Sequence, residues 1–239
     1  MKLDILAIGV HPDDVELSCS GTLLKQIALG NTVGILDLTR GELGSRGTVE
    51  IRDIEAQQAK IMMGALVREN LGLEDGFFSH SQENIRKIIK IIRKYQPSIV
   101  LANAIEDRHP DHGRAAKLTA DACFLSGLVK IVTTDENGNK QIPWRPNYVY
   151  HYMQDRSLRP DFLIDISPFA EKKMELINVY SSQFYNPDSN EPDTPISNKN
   201  FLLSVQAKDK VFGRLLNVEY AEAFTAARTI GVRDLFDLI

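Results

Sequence analysis

Two phrases gather side chains that can bind a cation and move a proton. His11-Pro12-Asp13-Asp14 ends an apolar run, Ile5-Leu6-Ala7-Ile8-Gly9-Val10, and His109-Pro110-Asp111-His112 follows about a hundred residues later. With five histidines, ten prolines and eighteen aspartates, chance gives roughly 0.02 His-Pro-Asp tripeptides, so two are not accidental. A turn built to hold a phosphate would offer glycines; this one offers an imidazole and two carboxylates. His11 and Asp14 span a turn into a helix and can reach one point, and His112 supplies a third ligand. Two neutral imidazoles and one carboxylate, with an open position, describe a catalytic rather than a structural zinc site. Asp13 points away from Asp14 along the chain, which frees it to hold the metal's water and take its proton. His109 is then the group to donate to a developing oxyanion or to protonate a leaving nitrogen, and Asp111 the group to orient His109. The chemistry that follows is metal-activated hydrolysis. Plainer roles exist: Asp13 or Asp14 can cap a helix, and Asp111 can start one. His80, in a polar loop, and His151, in a tyrosine-rich strand, read as non-ligands.

The elements that must position these groups alternate. Apolar, β-rich segments at Leu3–Val10, Thr32–Leu38, Leu66–Leu71 and Ser98–Ala104 are separated by helical patterns at Asp14–Leu29, Val49–Met63 and Gln82–Tyr95. The last carries Ile85, Ile88, Ile89 and Ile92 on one face and Arg86, Lys87, Lys90, Arg93 and Lys94 on a solvated one. Such alternation implies right-handed crossovers and a parallel sheet covered on both sides, an α/β fold with a Rossmann-like first half. Ligands bind at the carboxyl ends of strands in such sheets, so both His-Pro-Asp phrases should converge on one edge. After a helix at about Asp111–Ser126 the pattern changes. Asn137-Gly138 signals a hairpin, "NYVYHYM" and "DFLIDIS" read as strands, Pro168–Phe184 and Asn200–Leu216 as helices, and the end as mixed. The proline-rich stretch "YNPDSNEPDTPIS" is a candidate rim or assembly element. One domain spans 1–239, with a metal-binding half over 1–126 and a mixed completion over 127–239.

Composition narrows the partners. At 43% hydrophobic and 25% charged, the chain reads as ordinary soluble globular protein. A net charge of -4 argues against nucleic acid as a partner. No stretch is long enough for a membrane span or a signal-peptide core. Cys19 and Cys123 are far apart and read as two buried thiols in a reducing cytoplasm.

"HPDD" and "HPDH", each after a strand, resemble the PIG-L/LmbE-like zinc-dependent deacetylases, which remove acetyl groups from N-acetylglucosamine derivatives. "LDLTRGELGSRGT", "EDRHPDHGRAAKL", "RPDFLIDIS", "SSQFYNP", "TPIS" and "EYAEAFTAARTIGV" are similar to the bacillithiol-biosynthesis branch, which hydrolyses N-acetylglucosaminyl-malate to glucosaminyl-malate and acetate. The resemblance runs over nearly the whole chain. It implies His11, Asp14 and His112 as ligands of Zn2+ (or Fe2+), Asp13 as general base, His109 as oxyanion or acid group, and a homo-hexamer built from trimers. Some relatives add a tyrosine hydroxyl from a distal loop; the corresponding stretch around Phe201 has none. An acetylated amino sugar carrying carboxylates needs cations and polar groups, for which Arg52, then Glu42, Arg46, Arg108 and Arg145, are the candidates.

Three rivals are weighed against this reading. Fe(II) oxygen chemistry uses a similar ligand set, but on a β-barrel. A nucleotide-binding module would use Asp37 at the end of the second strand, but the first turn lacks a phosphate cradle. Free N-acetylglucosamine, chito-oligosaccharide or another conjugate is the rival substrate, to be decided by the rim alone.

Overall fold

β1 (Ile5–Gly9) and β2 (Val33–Thr39) are buried at every position, as strands must be when both faces of a sheet are covered. The computed structural model describes residues 1–238. It forms a single α/β domain around a seven-stranded sheet ordered β3-β2-β1-β4-β5-β7-β6. β3 (Val67–Leu73), β4 (Ile99–Ala102) and β5 (Tyr148–Tyr152) run parallel to β1 and β2, whereas β7 (Ala221–Ala226) is antiparallel to both β5 and β6 (Phe162–Asp165).

Side-chain alternation along the strands divides the core in two. Ile5 and Ala7 of β1 face α1 (Asp14–Ala28), α2 (Val49–Met63), α5 (Ala170–Asn178) and α6 (Lys199–Leu216), packing with Cys19, Ala59, Ile177 and Val205. Leu6 and Ile8 face α3 (Gln82–Tyr95) and α4 (Pro110–Leu125), packing with Ile88, Ile92 and Leu118. Both cysteines are free and buried. Helix limits follow capping chemistry: Thr48 and Ser81 accept from Ile51 N and Asn84 N, and α2 stops at Gly64, whose φ of 84° glycine tolerates. Among the described residues no helix is long and apolar enough to cross a membrane.

β2 and β4 flank β1 on opposite sides, so the crossovers leaving its neighbourhood diverge and open a crevice at the carboxyl ends of β1 and β4. His11 and the 103–112 segment emerge there.

Three expectations need correction. The 168–184 helix is a short 3-10 turn, Ser167–Phe169, followed by α5, which stops at Asn178. Beyond it, Ser181 and Ser182 turn to bond the buried Glu55 carboxylate of α2. The Asn137-Gly138 turn closes one isolated bridge, Thr134 to Lys140, instead of a hairpin of strands. The end of the chain is mixed as expected, and it holds a strand inserted between β5 and β6, β7, whose alanine-rich sequence carries little β propensity. Arg93 is buried, not solvated; it donates to the carbonyls of Ser126, Leu128 and Ile131 and to the Thr133 hydroxyl, gathering the segment after α4.

Candidate active site

The tight turn after β1 sets the site. Asp13 occupies the N-cap position of α1 with φ of 128°, a conformation costing about 1–3 kcal/mol for a non-glycine residue. Its side chain does not cap the helix. It accepts instead from Arg52 Nη2 at 2.8 Å, both groups being buried. Burial pushes the Asp13 carboxyl up to about 6, with Arg52 opposing and Asp14 adding to the rise.

Asp14 turns back into the crevice. Its Oδ2 accepts from Val10 N, His11 N and Asn103 Nδ2, each at 2.9 Å, and its Oδ1 from Gln154 Nε2 at 3.1 Å. Burial opposes its charge, but His112, His11 and these donors hold it far below the usual carboxylate range. The same carboxylate lies between two imidazoles: Oδ1 is 3.2 Å from His112 Nε2 and Oδ2 is 3.8 Å from His11 Nδ1. The far nitrogen of each ring is backed by a carboxylate, His11 Nε2 by Asp75 at 2.9 Å and His112 Nδ1 by Asp107 at 2.6 Å.

This donor set fits a divalent cation. Carboxylate-backed imidazoles converging on a third carboxylate are the arrangement that fixes ring orientation and tautomer in metal sites. The charge balance agrees: burial would lower both histidines, yet the nearby carboxylates of Asp111 and Asp75 raise His11 to about 10, and Asp14 and Asp107 raise His112 to about 9. The place calls for positive charge. His109 also offers a ring nitrogen within 4.8 Å of those of His11 and His112, but it is half-buried and its pKa is lowered, by burial first and then by the two neighbouring rings. Its Nδ1 accepts from Asp111 N at 3.3 Å, capping α4, which leaves Nε2 to carry the proton of the neutral ring. A second group, His11, Asp75 and Asp111, also lies within 4.8 Å. Its carboxylates already serve Leu43 N, Gly76 N and Arg114, so they read as supports for His11.

His11, Asp14 and His112 line a cavity of about 500 Å3. Arg52 and Arg108 line it, the first tied to Asp13 and to Gly41 O, the second to Asp155. Three other substrate candidates are placed elsewhere. Arg145 is exposed, stacked 4.1 Å from the Phe124 ring centre, with Nε donating to Phe124 O. Glu42 accepts from Asp75 N and Arg40 N, bracing the loop that carries Asp75. Arg46 donates to Ser182 O, Ser189 Oγ and Pro192 O, holding the proline-rich stretch whose Thr194, Pro195 and Ile196 line the cavity. Asp111 also departs from expectation: its carboxylate serves Gly76 N, Arg114 and, at 3.8 Å, His11, and only its peptide N–H orients His109. Phe201 lines the cavity, stacked on Phe184. His80 pairs with Asp121, and His151 Nδ1 with Asn103 O. Asp37 is occupied by the fork of Arg68, at 2.7 and 2.8 Å, which leaves it no ribose to bind.

Sequence reading missed Asp75, Asp107, Asn103 and Gln154. All four lie just beyond the carboxyl ends of β3, β4 and β5, so the strand-end rule applied to every parallel strand would have found them.

Residues 6–123 match the family described as GlcNAc-PI de-N-acetylase, PIG-L. The crystal structure of the conserved protein TT1542 from Thermus thermophilus superposes with a TM-score of 0.85 at 34% identity, covering 98% of each chain. Diacetylchitobiose deacetylase of Thermococcus kodakarensis is 27% identical over 190 residues, 75% of this chain and 70% of that one. The probable N-acetyl-alpha-D-glucosaminyl L-malate deacetylase 2 of Bacillus anthracis is 24% identical over 200 residues, 75% of this chain and 81% of that one. These similarities establish that the chain belongs to the PIG-L family of deacetylases.

Proposed function

We propose that this protein is a metal-dependent amide hydrolase that removes the N-acetyl group from an N-acetylglucosamine conjugate, releasing acetate and a free amine. The observation that carries the reading is Asp14 between two carboxylate-backed imidazoles, with the Asp13 carboxylate, held by Arg52, on the adjacent residue of the same cavity. A divalent ion held by His11, Asp14 and His112, zinc by this donor set and Fe2+ as the second choice, supplies Lewis acidity to the acetamide carbonyl and lowers the pKa of water.

The chain's own residues do the rest. Asp13, basic near neutrality, accepts a proton from the attacking water as the oxygen–carbon bond forms. Arg52 keeps that carboxylate in place, and Asn103 and Gln154 hold Asp14. His109, neutral and protonated on Nε2, donates to the carbonyl oxygen as negative charge develops there. The proton on Asp13 then passes to the amine nitrogen as the carbon–nitrogen bond breaks. Water and amide are thereby converted to acetate and amine with no other reactant.

For the substrate, N-acetylglucosaminyl-malate is the favoured conjugate, in bacillithiol biosynthesis. The similarity to the Bacillus anthracis protein over 75% of the chain supports it, as do the cations of the cavity wall, Arg108 and Lys208. Diacetylchitobiose is the second reading, favoured by the 27% identity to the Thermococcus kodakarensis enzyme. Amine release from both compounds and from free N-acetylglucosamine, with metal-stripped and zinc-reloaded protein, separates them. Zinc-dependent release favouring the malate conjugate supports the first reading, and release without preference removes the pathway. No release from any of them removes the function. A cytoplasmic homo-hexamer completes the proposal, and light scattering on the purified protein tests the assembly.

A further inference from the structure

Three cations other than histidine line the cavity, and two already hold carboxylates: Arg52 donates to Asp13 and Arg108 to Asp155. The third, Lys208, sits on α6 with Phe201, Ser204 and Val205, at the three-, four- and seven-residue spacing of one helix face. Its ammonium donates to the Gln154 carbonyl at 2.7 Å, its one hydrogen-bond partner among the described residues. An ammonium carries three donors, so two are unspent.

The nearby acids are committed elsewhere. Asp209 and Glu222 both bind Lys173, at 2.6 and 2.9 Å, and Glu222 also accepts from Gly21 N and Thr22 N. Burial, and then Lys173, disfavour the charge on Lys208. Among the described residues no carboxylate comes within 4.0 Å of this part-buried ammonium, an expensive arrangement unless a ligand supplies the anion. The position suits an aglycone. Gln154 spans the gap, its carbonyl on Lys208 and its side-chain amide 3.1 Å from Asp14 Oδ1 and 3.3 Å from His112 Nε2. A sugar whose acetamide reaches the ligand set keeps its remaining substituent within the same cavity.

We propose that Lys208 determines specificity by binding a carboxylate on the aglycone of the acetylated amino sugar. The assignment rests on the N-acetylglucosaminyl-malate reading above. The test compares kcat/KM of the metal-loaded enzyme on N-acetylglucosaminyl-malate and on the neutral methyl N-acetylglucosaminide, for the unaltered chain, Lys208→Met and Lys208→Arg. The unaltered enzyme should prefer the malate conjugate. Lys208→Met should lower kcat/KM on that conjugate by about 10- to 100-fold, mainly through KM, and by less than about 3-fold on the methyl glycoside. Lys208→Arg should restore most of the loss. Should Lys208→Met fail to fold, Lys208→Gln keeps a donor for the Gln154 carbonyl without the charge and gives the same readout. Equal losses on both substrates would make Lys208 a support for Gln154 and overturn the assignment. A malate preference that survives the substitution would overturn it while leaving the malate reading intact. No preference in the unaltered enzyme would overturn both.

Discussion

Replacing Arg52 with methionine removes the guanidinium 2.8 Å from Asp13 Oδ2, where the two side chains are only 8% and 6% exposed. Removing one partner of a buried pair costs about 3–5 kcal/mol, because the other charge is left uncompensated. At about 1.36 kcal/mol per pKa unit, the whole of that loss would raise Asp13 by about 2–4 units. The cavity admits water, which reduces the shift to about 1–2 units. Asp13 already stands near 6 through burial, and Arg52 is the largest influence holding it down. The sign follows: with Arg52 gone, the neutral form persists to higher pH, and a protonated Asp13 cannot accept the water's proton. The acid limb of the kcat/KM profile for deacetylation should therefore move up by about 1–2 units, with activity at pH 7 down about 2- to 10-fold and recovering in alkali. Gly41→Ala should act in the same direction, since at φ of 67° its Cβ would lie 2.0 Å from Arg52 Nη1. An unmoved acid limb with a raised KM would refute the reasoning and make Arg52 a substrate ligand.

Three further outcomes are expected. Zinc binding to metal-stripped protein at pH 7 should release close to two protons, because His11 and His112, raised to about 10 and about 9, are both charged until a metal displaces their protons. Calorimetry in buffers of different ionisation enthalpy reads the number, and release of fewer than about half a proton would show that the two rings are not charged in the metal-free protein. Asp107→Asn should weaken zinc affinity about 10- to 100-fold in a chelator competition by loosening His112, and unchanged affinity would show that the contact is incidental. Gly213→Ala should destabilise the fold by about 1–3 kcal/mol, since its Cβ would meet Glu219 O at 2.7 Å and Tyr220 N at 2.8 Å where α6 packs on the turn leading into β7. Thermal melting reads this as a fall of several degrees, and an unaltered midpoint would mean that the crossing relaxes freely.

The parallel half of the fold was legible because its determinants are local. α2 and α3 run where periodicity and caps put them, and β1 and β2 show the unbroken apolar runs of strands covered on both faces. β7 was not legible. Its place between β5 and β6 depends on partners distant in sequence, and Ala221, Ala223 and Ala226 announce no strand. The end of α5 was missed for a related reason, since Glu55, more than a hundred residues away, draws Ser181 and Ser182 out of the helix. At the site, both His-Pro-Asp phrases reach one crevice as the strand-end rule expects. The carboxylates behind the rings were overlooked because Asp75 and Asp107 lie in loops without periodicity. Asp111 shows the limit of spacing as a guide: its peptide, not its carboxylate, reaches His109. The sequence shows that the two groups are adjacent, but not which atom of one faces the other.

The division of labour between adjacent aspartates is the centre of the account, and one paired measurement reaches it directly. Asp13→Asn and Asp14→Asn proteins are prepared in parallel, and bound metal and amine release from the acetylated substrate are determined on each. Asp13→Asn should keep a full equivalent of metal and lose about 10²- to 10⁴-fold in turnover, whereas Asp14→Asn should lose the metal and the activity together. If Asp13→Asn instead loses its metal, and its residual activity rises and falls with metal content, Asp13 is a ligand and the assignment of the base is wrong.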